Sequence, residues 1–340
     1  MGDALSIKNS PRLQQSQADC RHMGLTLALI REAHARIKDK INRTPVLTSA
    51  TLDAQARAQL FFKCENFQKV GAFKARGATN AVFLLTDEEA QRGVATHSSG
   101  NHAAALARAA GLRGIPAHIV MPNNASQAKQ AAVVRYGAHI VLCEPTLAAR
   151  ESTCERVIAA TGAALIHPYN DMRVMAGQGT TALELLESIP DLDWLLCPVG
   201  GGGQLAGVAV ASKSLKPNIR VVGVEPAGAD DAYRSFKAGH IIASVNPQTI
   251  ADGLRSSLGK LPFTEIERWV DEIVTVSEES IVRSMRMIWE VMKIIVEPSA
   301  AVPYAALLEN KLNIAGQRVG VILSGGNLDL DALPWMKSHG

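Results

Sequence analysis

The sequence lacks the features that define several large protein classes. Its 340 residues contain no apolar run long enough to cross a bilayer, and 35 Lys and Arg nearly balance 32 Asp and Glu, leaving +3. Because the charges are scattered, we expect neither a membrane partner nor a nucleic-acid partner. With 47% hydrophobic and 20% charged residues, the chain is far from the disordered class and predicts a globular fold.

Cysteine is scarce and shows no pairing pattern. The odd number of cysteines and the absence of any C-x-x-C pair predict neither a disulfide framework nor a zinc site; they are Cys20, Cys64, Cys143, Cys154 and Cys197. We therefore expect a protein of the reducing cytoplasm. Residues 1–23 are polar and lack the apolar segment of a secretory signal, so we expect a flexible extension there.

The chain also lacks internal repeats and Pro- or Gly-rich linkers. From Leu25 onward, short apolar runs alternate with longer helical patterns, which is typical of parallel strands joined by crossover helices. The sequence thus predicts an α/β fold with twisted, mostly parallel sheets and helices on both faces. The apolar runs predict strands at 59–64, 94–97, 117–121, 138–143, 194–199, 220–225, 272–276 and 318–323. The helical patterns predict helices at 26–38, 74–85, 101–110, 126–135, 146–160, 175–187, 203–214, 278–292 and 299–310.

Four consecutive glycines, Gly200, Gly201, Gly202 and Gly203, stand between a predicted strand and a predicted helix. Their amides can turn toward one oxyanion, and the N-terminus of the helix adds partial positive charge. The pattern therefore predicts a phosphate-binding loop.

The same loop allows a second interpretation. Gly201-x-Gly203-x-x-Ala206 fits the dinucleotide fingerprint, and Glu225 follows about 20 residues later, where a ribose ligand would stand. That arrangement is typical of a nicotinamide-dependent oxidoreductase. Four unbroken glycines exceed what a dinucleotide turn needs, however, and another segment offers a covalent anchor for a different cofactor.

That segment contains Lys74, which lies between Phe73 and a helix start rich in small residues. Partial burial beside Phe73 and the nearby charge of Arg76 would lower the pKa of the Lys74 amine. A lysine with more free amine is suited to forming an imine. Most lysines are solvated surface charges. Lys74 alone therefore does not indicate a cofactor anchor, and the other motifs of the chain must support that interpretation.

Four separated motifs then occur in one order: Lys69-Val70-Gly71-Ala72-Phe73-Lys74-Ala75-Arg76-Gly77-Ala78, Ser98-Ser99-Gly100-Asn101-His102, the four glycines, and Ser324-Gly325-Gly326-Asn327. With these motifs the chain resembles the serine/threonine dehydratase and serine racemase family, fold-type II pyridoxal phosphate enzymes related to the tryptophan synthase β chain. The resemblance runs from about Leu25 to Leu330. It implies a large cofactor-binding domain of residues 1–92 and 169–340, a smaller domain of residues 93–168 inserted in it, and a cofactor in the cleft between them.

The resemblance implies a role for each matching residue toward pyridoxal phosphate. Lys74 would attach the cofactor and take the α-proton of the substrate, and the four glycines would hold the phosphate. The other cofactor residues would lie around the ring: Phe73, Asn101, Glu297 and Ser324. Ser324 would face the pyridine nitrogen, where a serine does not enforce protonation and so leaves the ring a milder electron sink.

Further residues are implied to bind an amino-acid substrate: Ser98, Ser99, Asn101, Arg150 and Ser256. In racemising relatives, the serine matching Ser99 opposes the lysine across the substrate and returns a proton from the other face. Ser99 is equally suited to binding a carboxylate or capping a helix. Arg150 is equally compatible with a solvated helix position.

The resemblance also implies a divalent-cation site. Its ligands would be the carboxylates of Glu225 and Asp231 and the carbonyl oxygen of Ala229, an all-oxygen set suited to Mg²⁺, Ca²⁺ or Mn²⁺. Ordinary helix caps are the alternative for these residues. A homodimer is expected on the same ground.

The expected activity is the removal of water from a β-hydroxy-α-amino acid, giving a 2-oxo acid and ammonia. L-Threonine and L-serine are the default substrates, with 3-hydroxyaspartate close behind. The alternatives are an amino-acid racemase that uses Lys74 and Ser99, the nicotinamide oxidoreductase, and an amino-acid sensor without catalysis. The sensor would tolerate the loss of Lys74.

Overall fold

The computed structural model describes residues 24–336; the predicted extension 1–23, including Cys20, lies outside the described residues. Within that range strands and helices alternate as the sequence predicts. The strands are β1 Val46–Leu47, β2 Gln59–Cys64, β3 Val94–His97, β4 Ala117–Pro122, β5 His139–Cys143, β6 Ala164–Leu165, β7 Trp194–Pro198, β8 Arg220–Pro226, β9 Glu272–Val276 and β10 Arg318–Leu323. The helices are α1 Leu27–Ile37, α2 Ala50–Ala56, α3 Lys74–Phe83, α4 Asp87–Arg92, α5 Asn101–Arg113, α6 Gln127–Val134, α7 Leu147–Thr161, α8 Met172–Ser188, α9 Gly203–Leu215, α10 Asp231–Ala238, α11 Lys260–Trp269, α12 Glu278–Met287 and α13 Pro298–Leu308.

The strands form two sheets. A six-stranded sheet has the order β1-β2-β10-β7-β8-β9, and a four-stranded sheet has the order β5-β4-β3-β6. All neighbouring strands are parallel except β1, which pairs antiparallel with β2. Strands such as β7 are buried along their whole length because helices cover both faces of a parallel sheet. The predicted α/β fold with mostly parallel sheets is confirmed.

The four-stranded sheet is formed by residues 94–165 alone, and the chain leaves the six-stranded sheet after β2 and returns to it at β7. These strands fall inside the predicted small domain, 93–168. The domain boundaries themselves stay a prediction. Each sheet packs its own apolar core, and that of the smaller sheet joins alanines of α3 and α5 to Ile119 and Met121.

Helix ends follow the sequence signals in most places. Thr86 and Glu89 form a reciprocal capping box at the start of α4, and the Ser277 hydroxyl accepts from the Ser280 amide at the start of α12. The predicted helix 278–292 departs from expectation. It changes at Met287 into a π-turn that ends at Lys293 with φ of 60°, and the Trp289 indole donates 3.0 Å to the Val296 carbonyl. This turn redirects the chain toward Glu297.

No helix within residues 24–336 is both long and apolar enough to cross a membrane. The four cysteines in this range are free.

Candidate active site

Lys74 is the first residue of α3 and is held at the end of β10. The Phe73 amide donates 3.0 Å to the Ser324 carbonyl, and Ala72 forms an isolated antiparallel bridge with Gly325. These contacts place Phe73, Lys74 and Ser324, three predicted cofactor residues, side by side. The preceding turn is strained, since Val70 adopts φ of 57° although it is β-branched.

The Lys74 amine lies in a partly buried position between both sheets. Its Nζ donates 2.8 Å to the Pro168 carbonyl and lies 5.0 Å from the centre of the Phe73 ring. Burial lowers the pKa of Lys74 to about 8, although the charge of Glu297 acts in the opposite direction. A larger fraction of neutral amine at neutral pH is what a nucleophilic lysine requires.

The glycine loop is a buried cradle of backbone amides between β7 and α9. Gly202 has φ of 86°, and a Cβ at Gly201 would overlap the Tyr169 ring, so side chains are excluded here. Among the described residues, none accepts a hydrogen bond from the amides of Gly200, Gly201, Gly202 or Gly203. Free amides at a helix N-terminus fit a phosphate group.

Asn101 and Glu297 meet across the two sheets. The Asn101 Nδ2 donates to both Glu297 carboxylate oxygens at 3.0 and 3.1 Å, and the Asn327 amide donates to Glu297 Oε2 at 3.1 Å. Burial raises the pKa of Glu297 to about 7, an effect that the hydrogen bond from Asn101 partly offsets. Both residues, predicted from the sequence to lie near the cofactor ring, are thus in direct contact.

Ser98 and Ser99 lie in the loop between β3 and α5 and are both partly exposed. The Ser98 hydroxyl accepts from the Gly100 amide at 3.4 Å. No hydrogen bond joins Ser99 to Lys74 in the described structure. The loop leads into the α5 N-terminus, where Gly100 supplies no side-chain cap, so a carboxylate can meet free helix amides there.

Arg150 and Ser256 both influence Tyr169. Burial raises the pKa of Tyr169, while the charge of Arg150 and the hydroxyl of Ser256 act to lower it. The Nε atom of Arg150 is buried and has no hydrogen-bond partner among the described residues. A buried donor of this kind is costly unless a ligand pairs with it.

The predicted cation ligands occupy the end of β8 and the start of α10. Glu225 accepts from the amides of Ala232 and Tyr233 at 3.1 and 2.8 Å, and Asp231 Oδ2 accepts from the Leu258 amide at 2.8 Å. Burial raises the pKa of Glu225 to about 9, and the nearby charge of Asp231 adds to this rise.

Burial also raises the pKa of Asp231, to about 6. Asp231 Oδ1 is buried without a hydrogen-bond partner in the described range. Within residues 24–336 no group of three or more His, Cys, Asp or Glu side chains is arranged to hold a metal, so a cation here would need the Ala229 carbonyl and water.

Three residues of the site were missed by the sequence analysis: Pro168, Tyr169 and Asn327. Asn327 belongs to the motif Ser324-Gly325-Gly326-Asn327, so the sequence indicated its position near the site. The sequence did not indicate its role. Pro168 contributes only a backbone carbonyl, and the contact of Tyr169 with the glycine loop depends on tertiary packing. No sequence pattern indicates either.

The comparisons with known proteins agree with this arrangement. The family model described as "Pyridoxal-phosphate dependent enzyme" matches residues 37–325. The chain belongs to this family. Its cofactor is therefore pyridoxal phosphate, and the family match leaves the nicotinamide interpretation without support.

Among relatives in this pyridoxal-phosphate dependent enzyme family, the beta-hydroxyaspartate dehydratase of Paracoccus denitrificans (strain Pd 1222) is 55% identical over 303 residues, 89% of this chain and 96% of that protein. The serine racemase of Arabidopsis thaliana is 51% identical over 309 residues, 89% of this chain and 93% of that protein. The solved structure of maize serine racemase superposes with a TM-score of 0.89 at 48% identity and covers 91% of this chain and 95% of that chain.

The residues present fit the family's cofactor. A lysine with lowered pKa, an amide cradle free of protein acceptors and a buried carboxylate lie around the ends of β10 and β7. These are groups that would bind an aldehyde, a phosphate and a polar ring.

Proposed function

We propose that the protein is a dehydratase that eliminates water from a β-hydroxy-α-amino acid. The released enamine rearranges to an imine, and water then converts the imine to a 2-oxo acid and ammonia. The single observation that supports this most is the lowered pKa of Lys74, about 8, in the amine that donates to Pro168. A related protein, 55% identical, is named a beta-hydroxyaspartate dehydratase.

The cofactor residues are proposed as follows. Lys74 binds the aldehyde, the amides of Gly200, Gly201, Gly202 and Gly203 bind the phosphate, and Phe73, Asn101, Glu297 and Ser324 surround the ring. When bound, pyridoxal phosphate withdraws electrons from the substrate α-carbon and so makes its proton acidic. Asn101 and Glu297, which contact each other, would lie beside the ring hydroxyl group and orient the cofactor ring.

Lys74 is also the proposed base. When it is not bonded to the cofactor aldehyde, its Nζ would accept the α-proton and would pass a proton to the departing β-hydroxyl, which then leaves as water. A lysine with a pKa of about 8 serves here because it is partly neutral at physiological pH.

Arg150 is proposed to bind a carboxylate of the substrate. Its buried, unpartnered Nε and the neighbouring Tyr169–Ser256 pair form a polar wall, while Ser98, Ser99 and the α5 N-terminus are proposed to bind the α-carboxylate. A second carboxylate, as in 3-hydroxyaspartate, would pair with the guanidinium, whereas serine and threonine leave it unpaired. We therefore place 3-hydroxyaspartate ahead of serine and threonine.

The test is to offer the enzyme, loaded with pyridoxal phosphate, parallel samples of the 3-hydroxyaspartate isomers, L-threonine, L-serine and D-serine in D₂O. Proton NMR follows oxo acid formation, and chiral derivatisation follows the enantiomer. Rapid oxo acid formation from one substrate supports the dehydratase. Absence of oxo acid from all of them contradicts it.

A matched pair of variants tests Arg150. Arg150→Gln should lower kcat/KM for 3-hydroxyaspartate by about 100-fold, as expected for losing a charged hydrogen-bonded pair, and affect L-serine much less. Arg156→Gln, on the same helix and hydrogen-bonded to Thr153, is the control and should change neither. Equal losses for both substrates would contradict the assignment of Arg150 to a second carboxylate.

Serine racemisation is the second candidate because a 51% identical relative is named a serine racemase. Ser99 is the group that would exchange a proton on the face opposite Lys74. In the same NMR experiment, α-deuterium with accumulating D-enantiomer and little oxo acid would favour this activity. Ser99→Ala should then abolish the enantiomer signal.

We also propose a divalent-cation site formed by Glu225, Asp231 and the Ala229 carbonyl, with Mg²⁺ as the first ion to test and Ca²⁺ or Mn²⁺ as alternatives. It is supported by two buried acidic groups whose pKa values are raised, since a cation would favour their charged forms. The homodimer, the cytoplasmic location and the two-domain boundaries remain predictions from the sequence.

A further inference from the structure

Asn327 lies at the centre of a hydrogen-bond network that the sequence motif does not predict. Its Nδ2 donates to the Val70 carbonyl at 2.7 Å and to Asn101 Oδ1 at 2.8 Å, and its backbone amide donates to Glu297 Oε2 at 3.1 Å. One exposed asparagine thus contacts the turn before Lys74 and two of the proposed ring ligands.

The direction of these hydrogen bonds is fixed from the Val70 end of the network. At one end, the Val70 carbonyl can only accept, so the Asn327 side chain must present its NH₂ group there. The second N–H of that group then reaches Asn101, which must present its carbonyl oxygen. At the other end, the Asn101 NH₂ group faces the two Glu297 oxygens at 3.0 and 3.1 Å, but a protonated Glu297 could donate as well as accept, so this end does not fix the direction by itself.

The turn that supplies the Val70 carbonyl has a backbone conformation that allows Asn327 to approach closely. Val70 has φ of 57° and Gly71 has φ of 70°, and a Cβ at Gly71 would lie 2.6 Å from Asn327 Oδ1. The Gly326 amide also donates 2.9 Å to the Gly71 carbonyl. A left-handed β-branched residue is unfavourable on its own, so the surrounding contacts must hold it.

We propose that Asn327 is a positioning residue that sets the orientation of the Asn101 side-chain amide. Because Asn327 occupies the Asn101 carbonyl oxygen, the Asn101 NH₂ group is the one turned toward Glu297, and one of its two N–H would exchange a Glu297 oxygen for the cofactor's ring hydroxyl in its ionised form. This inference rests on the proposed role of Asn101 as a ring ligand. Without Asn327, the amide is free to rotate and present its oxygen instead.

The test compares three variants of the full-length protein. Asn327→Ala removes the side-chain amide, and Asn327→Asp keeps its shape but cannot donate to Val70 or Asn101. Asn66→Ala is the matched control because the half-buried Asn66 also donates an exposed hydrogen bond to a backbone carbonyl, that of Ile295, and the structure shows no contact between it and Asn101.

Three quantities are measured on each variant: the dissociation constant of pyridoxal phosphate from the cofactor-free protein, the pH midpoint of the visible absorbance of the bound cofactor, and the thermal unfolding midpoint. Both Asn327 variants should bind the cofactor about tenfold more weakly, as expected for one lost hydrogen bond to a charged group. Their absorbance midpoint should move to higher pH, since the ionised hydroxyl loses a donor. Asn66→Ala should match the wild type in both cofactor readouts.

Equal affinity and equal pH midpoints in Asn327→Asp and the wild type would overturn the inference, whatever happens to thermal stability. A lower unfolding temperature with unchanged cofactor readouts would also overturn it, because the role would then be structural only. If the wild type itself binds no pyridoxal phosphate, the proposed function fails first. The two failures are therefore distinguishable.

Discussion

The Lys74 amine donates a 2.8 Å hydrogen bond to the Pro168 carbonyl, 94 residues further along the chain. Pro168 follows β6, the last strand of the four-stranded sheet, and Lys74 follows β2 of the six-stranded sheet. The proposed nucleophile is thereby joined to the segment that returns from the smaller sheet. An aldehyde bonded to this amine would compete with the Pro168 carbonyl for it, so cofactor attachment would be coupled to the segment that joins the two sheets.

Replacing Lys74 with Ala should abolish both turnover and the visible absorbance of attached cofactor, because it removes the primary amine that is proposed to bind the aldehyde. Phosphate contacts from the glycine loop should still retain some cofactor without covalent attachment. Absorbance spectra before and after borohydride treatment measure this. Turnover by the Ala variant would contradict the assignment of Lys74.

The rate at which pyridoxal phosphate attaches to the protein should rise with pH and level off above about 8, the pKa of Lys74. Burial lowers this pKa from that of an ordinary lysine, and only the neutral amine attacks an aldehyde. Stopped-flow absorbance across a pH series gives the midpoint. A midpoint near that of free lysine would show that burial does not tune this amine.

Arg76 should be essential for stability. It is fully buried and binds Glu65 at 2.7 Å and Glu184 at 2.8 Å, and Lys63 also binds Glu184 at 2.7 Å. Burial alone would raise the pKa of Glu184, but Arg76 and Lys63 hold it down at about 2. Arg76→Leu removes the guanidinium that pairs with both buried carboxylates, leaving Glu184 with Lys63 and Glu65 with the Thr44 hydroxyl, and should lower the free energy of unfolding by about 3–5 kcal/mol.

The control for Arg76 is an exposed ion pair, Arg43 with Glu187 at 2.8 Å. Arg43→Ala should change the free energy of unfolding by about 0–1 kcal/mol, because water already solvates both charges. Urea denaturation of both variants gives the comparison. Similar losses of unfolding free energy in the two variants would mean that the buried ion pairs of Arg76 stabilise the protein no more than an exposed pair does.

His102 should make the protein acid-sensitive. Burial lowers its pKa to about 3, and its Nε2 lies 3.0 Å from the Ile166 carbonyl. Between that value and the unfolded pKa of about 6.5, the unfolded chain binds a proton that the folded chain does not, so stability falls as pH falls. From about pH 7.5 to about pH 5, His102 should account for a loss of about 2 kcal/mol.

His102→Gln removes this titration while keeping a donor for the Ile166 carbonyl. Denaturation at both pH values should therefore show a smaller acid loss in the variant than in the wild type. Identical pH dependence in the two proteins would rule out His102 as the source. Other buried groups contribute equally to both proteins and cancel in the difference.

Added Mg²⁺ should stabilise the protein through Glu225 and Asp231. A cation at about 100 times its dissociation constant adds about 2.7 kcal/mol to the free energy of unfolding, and the thermal midpoint should rise accordingly. Asp231→Asn should raise the metal-free midpoint, because it removes a buried like charge, and lose the response to Mg²⁺.

The neighbouring Asp230 provides the control, since it is half-exposed and pairs with Arg234 at 2.8 Å. Asp230→Asn should respond to Mg²⁺ as the wild type does. If Mg²⁺, Ca²⁺ and Mn²⁺ all leave the thermal unfolding midpoint of the wild type unchanged, the proposed cation site is contradicted.

The strong apolar patterns predicted the fold well. The predicted strands at 59–64, 94–97, 272–276 and 318–323 coincide with β2, β3, β9 and β10, because fully buried parallel strands are continuous apolar runs. The two-residue strands β1 and β6 were missed, since two residues carry no periodicity. The helical segment ends at Met292, as predicted for helix 278–292, but its last five residues form a π-turn that the sequence did not indicate.

The site was predictable where a side chain belongs to a motif. Lys74, Asn101 and Glu297 lie together as the resemblance implied, whereas Tyr169 was not found because its role depends on a ring packed against glycines far along the chain. The network through Asn327 depends on the left-handed Val70, a conformation that no sequence rule assigns to a β-branched residue.

The strand order has a consequence for synthesis. β10 lies between β2 and β7 in the six-stranded sheet, although it is the last strand along residues 24–336. On the ribosome, β2 and β7 therefore emerge long before the strand that joins them, and both keep unpaired edges until residue 323 is free. The four-stranded sheet, complete by residue 165, has all its strands far earlier. A nascent chain should thus complete the smaller sheet first and acquire its cofactor site only after β10 has been translated.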